Sequence, residues 1–240
     1  MRMKKQTTRF ILSGALALTM LPEMVCAQKA NVLTQDEKKQ GWTLLFDGTT
    51  TKGWETPAAK PVTSGWEVKD GTLTALKGAK GGDIISQNEY SNFDLIMDFN
   101  LEAEGNSGVK YFYTQYEKGG NLGIEYQILD DKLAEDNKKK NHLTGSFYDV
   151  LPPDESLKKV NPPGQWNTLR IVSKDKKVEH WINGVKILEY VRGSKEVAQA
   201  VVFSKFNNTQ PAFGTVEKGH ILLQEHGAQV SFKNIKIREL

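Results

Sequence analysis

From Phe93 to Leu101 every second residue is large and apolar: Phe93, Leu95, Met97, Phe99 and Leu101 share one parity. Successive side chains of a strand point to opposite faces, so this run can bury one face of a β-strand but cannot make the stripe of a helix. Shorter stretches repeat the pattern. Strands are expected at Trp42–Phe46, Trp66–Val68, Thr72–Leu76, Val109–Tyr113, Leu122–Leu129, Asn167–Ser173, Lys177–Ile182, Val185–Tyr190, His220–Gln224 and Val230–Ile237. Asp70-Gly71 and Asn183-Gly184 fall between neighbouring strands, and such pairs favour two-residue hairpin turns. No long helical period competes. The fold class expected is all-β, a sandwich of two antiparallel sheets. Thr34, with Glu37 three residues on, predicts a capped short helix before the first strand. Lys132–Asn141 is polar and reads as a surface loop or short helix.

A basic start (Arg2, Lys4, Lys5, Arg9) leads into the apolar run Phe10–Leu21 and then Val25-Cys26-Ala27. That order is a secretory leader cleaved before Gln28, too short and wrongly flanked for a membrane span. The expectation is an exported protein, periplasmic or extracellular, with residues 28–240 as one domain. A lipid anchor on Cys26 ranks second, because Glu23 stands where that signal wants an apolar residue. Of the 32 basic and 29 acidic residues, four and one lie in residues 1–27, which leaves 28 of each and no net charge. Whole-chain attraction to nucleic acid therefore has no support. Cys26 is the only cysteine. Once it is removed, no disulfide or thiol nucleophile remains, and burial of a core must hold the fold.

The candidate site begins with Gly123-Ile124-Glu125-Tyr126-Gln127-Ile128-Leu129-Asp130. Glu125 and Gln127 share one face of this strand; Ile124, Tyr126 and Ile128 share the other. A carboxylate in mid-strand is costly when buried without a partner and cheap when its face lines a wet groove. The strand reads either as the floor of a sugar-binding cleft or as a plain solvated face. Tyr126 and Tyr111 are the expected aromatic platforms. Asn106-Ser107-Gly108 is a turn or a polar lip that touches a sugar. Gln224 and His226 repeat the pattern of an amide two residues from a titratable group. His180 sits beside Trp181 in a hairpin, and His142 lies in a polar loop with Tyr148 six residues on; the last two could rim a cleft. There is no zinc-binding His–Glu–x–x–His, no phosphate-cradling glycine loop and no Gly–x–Ser–x–Gly elbow, so no nucleotide cofactor is expected. The Glu–x–Asp–x–x–Glu strand of sandwich glucanases is also missing, although glycoside hydrolysis usually needs two carboxylates.

Six segments together resemble the 3-keto-disaccharide hydrolase family: Leu44–Gly48 with Gly53-Trp54, Gly105–Val109, Gly123–Asp130, Trp166-Asn167, Trp181–Gly184 and Ile221–Gly227. The resemblance implies a concanavalin A-like jelly-roll sandwich with a concave carbohydrate-binding face, and a carbohydrate substrate oxidised at C3. Members often carry an arginine in the strand after Asn-Ser-Gly; here only Lys110 is basic. A C3 ketone acidifies the C2 proton, so cleavage can run by proton abstraction, elimination and hydration. That route needs a base and an electrophile for the enolate oxygen. The expected centre is Glu125 and His226, as base or as ligands of one divalent metal ion, with His180 as a second candidate base. Gln127 and Gln224 would orient the substrate or metal, and Asn106, Lys110 and Tyr148 would contact the sugar. Two rival readings remain: a non-catalytic carbohydrate-binding module, and an ordinary glycoside hydrolase whose second carboxylate is Glu102, Glu104 or Asp149.

Overall fold

The computed structural model describes Met3 and residues 29–117, 120–207 and 213–240. Met3 aside, the expected leader and Cys26 lie outside the described residues. In chain order the elements are α1 (Gln35–Lys39), β1 (Thr43–Leu44), β2 (Trp54–Glu55), β3 (Trp66–Lys69), β4 (Thr72–Ala75), β5 (Ile84–Tyr90), β6 (Phe93–Leu101), β7 (Asn106–Tyr116) and β8 (Gly120–Leu129). A single 3-10 turn at Lys140–His142 precedes β9 (Asn167–Lys174), β10 (Lys177–Ile182), β11 (Val185–Val191), α2 (Lys195–Val202), β12 (Gly219–Leu223) and β13 (Val230–Glu239). No helix among the described residues is long and apolar enough to cross a membrane.

The strands form two antiparallel sheets. One runs β11-β10-β9-β6-β13-β4-β3, with β1 also on β13; the other runs β2-β5-β12-β7-β8. This is the all-β jelly-roll sandwich that the sequence implies. Strand β6 has the expected bounds and its five apolar side chains are all buried between the sheets. They meet Val109 and Tyr111 of β7, Ile124, Tyr126 and Ile128 of β8, and Ile221 and Leu223 of β12 in one cluster. Each such side chain contributes roughly 1.5–3 kcal/mol by leaving water. Asp94 also lies buried on β6, held by Arg170 (2.7 and 2.8 Å) and Arg238 (2.8 Å).

Both expected hairpin turns have two successive residues at positive φ, Asp70-Gly71 at 48° and 75° and Asn183-Gly184 at 47° and 81°. Asp175-Lys176, at 48° and 71°, makes the same geometry between β9 and β10 without a glycine. The helix α1 closes with the predicted capping box, Thr34 accepting from Glu37 N while the Glu37 carboxylate accepts from Thr34 N.

Four elements differ from expectation; one, β2, is only two residues long and shows no period. Strand β5 carries the run Ser86-Gln87-Asn88-Glu89, which hides its period. Ser86 is nonetheless buried, donating to Asn88 O (2.7 Å) and accepting from Ile221 N (3.0 Å). Helix α2 was missed because its signal is short: Ser194 caps Val197 N, and only Val197 and Val201 are buried. Asn106-Ser107-Gly108 is not a turn but the start of β7, paired with Leu129, Ile128 and Gln127.

A bulge divides β7. The pairing with β8 slips between Tyr111 and Thr114, and Phe112 adopts φ 54°. Tyr111 and Phe112 are consequently both buried. A Cβ on Gly219, opposite the bulge, would lie 2.5 Å from Phe112 C, so only glycine fits there.

Candidate functional site

The pairing of β7 with β8 places Lys110 opposite Glu125 and Gly108 opposite Gln127, while Leu222 of β12 faces Lys110 from the other side. Gln224 N continues that ladder by donating to Gly108 O at 3.0 Å. These residues therefore share the outer face of the five-stranded sheet, away from the core. The free edge of β8 is covered by Gly145–Tyr148: Gly145 N donates to Gln127 O (2.9 Å) and Tyr148 N to Glu125 O (3.1 Å). Tyr148 is thus pinned beside Glu125.

The result is a hollow of about 180 Å³. Its lining includes Asn106, Lys110, Gly123, Glu125, Gln127, Tyr148, Lys205, Phe206, Gln224 and His226. A wider trough of about 930 Å³ shares Asn106, Tyr148 and His226 with it and continues past Lys77, Glu102, Glu104, Glu135 and Asp136. Residues predicted from four separate segments come together here.

Glu125 is 7% exposed. Burial raises its pKa, and the nearby charge of Asp83 adds to that; Lys110, Lys205 and His226 oppose it. The Lys110 ammonium stands 3.7 Å from Glu125 Oε2 and 4.0 Å from Asp83 Oδ2. Asp83 is raised for the same first reason, burial, against Lys110 and the backbone N–H of Glu225. With the amide oriented as its neighbours require, Gln127 donates to Glu125 Oε1 (2.9 Å) and to Ser107 O (3.1 Å). Gly108 leaves room for the carboxylate: a Cβ there would lie 2.5 Å from Glu125 Oε1.

His180 is not part of this hollow. It is fully buried between the sheets, where Nδ1 donates to Gly145 O (2.8 Å) and Nε2 meets Tyr111 Oη at 2.8 Å. Burial lowers its pKa to about 4. The pairing of β9, β10 and β11 turns it inward, so it is a core residue and cannot serve as a base at Glu125. Tyr111 and Tyr126 likewise point into the core, because they alternate with Lys110 and Glu125. Tyr126 donates to Trp181 O (3.0 Å) and offers no platform to a sugar. Of the expected second carboxylates, Glu102 and Glu104 line the trough, while Asp149 is tied to His142.

Asp83, Lys205 and Phe206 are not signalled by the sequence, Phe206 following Lys205 directly. Asp83 sits just before β5, whose polar run gave no strand signal. Lys205 follows α2, which was also missed. None of the three carries a local motif that would have singled it out.

The donors at the hollow suit a divalent cation in kind: the Glu125 carboxylate, the His226 imidazole and Gln224 Oε1. That amide oxygen is buried and has no hydrogen-bond partner among the described residues. No group of three or more His, Cys, Asp and Glu among the described residues is arranged to hold a metal, so the amide would have to complete the set.

Residues 41–238 match the family described as the 3-keto-alpha-glucoside-1,2-lyase-like domain. The chain belongs to that family. It is 31% identical over 233 residues to a Bacteroides thetaiotaomicron protein named 3-keto-disaccharide hydrolase, covering 83% of this chain and 79% of that protein. Two crystal structures from Parabacteroides distasonis, each described as a candidate glycosyl hydrolase, share the fold. One is 35% identical, with TM-score 0.78 over 88% of this chain and all of the other. The second is 28% identical, with TM-score 0.65 over 83% of this chain and 99% of the other. The hollow thus lies in a lyase-like domain whose segments at Asn106, Glu125 and Gln224 carried the family resemblance.

Proposed function

We propose that this protein cleaves the glycosidic bond of sugars oxidised at C3, with the chemistry at Glu125. The observation that carries the reading is the buried Glu125 carboxyl, set against Lys110 in a hollow that also holds Gln127, Gln224 and His226.

Glu125 removes the C2 proton, which the C3 carbonyl acidifies. The electron pair moves into a C2–C3 double bond and charge develops on the C3 oxygen. A raised pKa makes Glu125 a better base near neutral pH than an exposed carboxylate. Gln127 holds the carboxylate from one side. The Lys110 ammonium faces the developing negative charge, the role for which preorganised electrostatic groups are most effective. The C3 carbonyl then re-forms, the C1–O bond breaks and a C1–C2 double bond is left. His226 gives a proton to the departing oxygen. Water adds at C1 and a proton returns to C2, so the net reaction consumes one water. Acting instead as ligands, His226, Gln224 Oε1 and Glu125 would hold a divalent cation that would supply Lewis acidity, and the two titratable groups would then not serve as acid and base. The basic and apolar leader of residues 1–27 would send this activity outside the cytoplasm, which cell fractionation tests.

This route explains a site with one central carboxylate on the sheet. The test offers a matched glucoside and 3-keto-glucoside. Cleavage of the ketone alone, with a conjugated enone absorbing transiently in the ultraviolet, is expected. Glu125→Ala and His226→Ala should each lose activity, Glu125→Ala by about 10²–10⁴-fold as for loss of a general base. Equal cleavage of both sugars would indicate ordinary hydrolysis, binding without turnover a carbohydrate-binding module, and full activity in both variants would end the assignment.

A further inference from the structure

His142 takes no part in the reaction above, yet both of its ring nitrogens are hydrogen-bonded to carboxylates. It sits at the end of the 3-10 turn, 8% exposed. Its Nδ1 is hydrogen-bonded to Asp136 Oδ1 at 2.7 Å and its Nε2 to Asp149 Oδ1 at 2.8 Å. Hydrogen bonds of this charge-assisted kind are about twice as strong as neutral ones.

Each carboxylate continues into one wall of the hollow. Asp136 Oδ2 accepts from Tyr148 Oη (2.8 Å), and the His142 ring packs on the Tyr148 ring at 4.6 Å between centroids. Asp149 Oδ2 accepts from Lys205 N (2.7 Å). The Lys205 ammonium in turn lies 4.3 Å from the centre of the Tyr148 ring. Burial raises the Asp149 pKa, but the bonds from Lys205 N and His142, with the charge of Lys139, outweigh it and hold the group ionised. Lys139 lies farther away, 3.4 Å from the same oxygen, on an exposed side chain. It cannot replace the bridge, since it reaches only one of the two carboxylates here.

We propose that His142 is a positioning residue: by bridging Asp136 and Asp149 it fixes Tyr148 and Lys205 against each other as one wall of the hollow. The inference rests on the hollow being the sugar site, but the bridge itself is independent of that reading. Tyr148 is anchored by its own backbone to β8, whereas Lys205 follows a helix that buries only two side chains. The bridge therefore matters most for Lys205. Its loss frees the wall rather than the carboxylate of Glu125, so substrate binding should suffer more than the chemical step.

The test uses His142→Phe, which keeps a ring on Tyr148 and removes both donors, and His142→Gln, which keeps a donor for one carboxylate. Hydrogen exchange in the absence of any sugar should be about tenfold faster at the Lys205 amide in His142→Phe, because its acceptor Asp149 loses a charged hydrogen bond that holds it in place. His142→Gln should be intermediate, and the amides of Ile124 and Tyr126 in β8 should be unchanged. With a 3-keto-glucoside, KM should rise about tenfold in His142→Phe, with kcat nearly kept, the pattern for losing binding shared by ground and transition states. Unchanged exchange at Lys205 would overturn the proposal, as would faster exchange with an unaltered KM. Failure of both variants to fold would overturn it too, by making His142 part of the core. If the wild-type protein does not turn over the ketone, the proposed function fails while the exchange result still reports on the bridge.

Discussion

Gly108→Ala should separate the placement of Glu125 from the stability of the fold. An ideal Cβ on Gly108 would lie 2.5 Å from Glu125 Oε1, 2.9 Å from Cγ and 3.0 Å from Cδ. Real Cβ atoms essentially never come closer than 3.0 Å, so the carboxylate must retreat by about 0.5 Å or more. What moves is the end of a side chain, not a strand. Gly108 is not among the residues at positive φ, so alanine suits its backbone. The loss of freedom in the unfolded chain then favours the variant by about 0.4–1 kcal/mol. Displaced packing around Glu125 offsets this, and net stability should stay within about 1 kcal/mol of wild type. Catalysis should not. A misplacement on the order of 1 Å costs about a hundredfold in rate. The assay is kcat on a 3-keto-glucoside beside a urea melt of the same preparation. Gly123→Ala is the contrast, since its Cβ would meet backbone, Tyr111 O and Tyr113 Cα both at 3.1 Å, and should cost stability as well. A stable Gly108→Ala protein with wild-type kcat would refute the claim that the position of this carboxylate sets the rate.

The raised pKa of Glu125 predicts an acid limb in kcat/KM above the usual 4.5 of a glutamate, because activity appears only as the base ionises. Removing the cation that opposes burial, with Lys110→Met, should move that limb to higher pH; a limb that stays in place would exclude Lys110 as its neighbour in solution. The same shift has a stability consequence. A carboxyl raised on folding favours the folded state below its unfolded pKa, and that contribution is lost as pH rises through the folded value. Glu125→Gln should therefore gain stability over wild type at pH 7 and not at pH 4, as read from denaturant midpoints. His180 has the opposite sign. Its pKa falls from 6.5 to about 4 on folding, so its stabilising contribution is present above pH 6.5 and is lost toward pH 4. At 1.36 kcal/mol per unit this amounts to about 3 kcal/mol, and His180→Phe should flatten the acid side of the stability profile by a comparable amount. Asp94→Ala, which removes the buried partner of Arg170 and Arg238 on the eight-stranded sheet away from the hollow, should cost about 1–3 kcal/mol in a melt, because both arginines are partly exposed, while kcat of the surviving folded fraction is unchanged.

Strand parity made much of this legible. The alternation at Phe93–Leu101 and at Gly123–Asp130 placed the core and the Glu125–Gln127 face correctly, because a two-residue period leaves no other choice once one side is buried. The same rule turns Tyr111 and Tyr126 inward, away from a sugar, since each alternates with a residue of the hollow. What parity cannot supply is contact between sheets and loops. His180 looked like a base because the sequence does not say which face of β10 meets the other sheet. Asp83 and Lys205 escaped because the elements that carry them, β5 and α2, have short or interrupted patterns. The Tyr148 wall depends on Gly145–Tyr148 lying along the edge of β8, a non-local pairing with no signature of its own.

The extra residue at Phe112 acts as an expansion joint in the sheet. On one side of it Lys110 and Glu125 keep their alignment; on the other, Thr114–Tyr116 meet the start of β8 in a shifted register. Since, among the described residues, β8 pairs with no strand but β7, a one-residue change in the length of the connection between them would be absorbed beyond the joint. Relatives should accordingly tolerate drift in the length of this connection while the spacing from Asn106 to Lys110 stays constant.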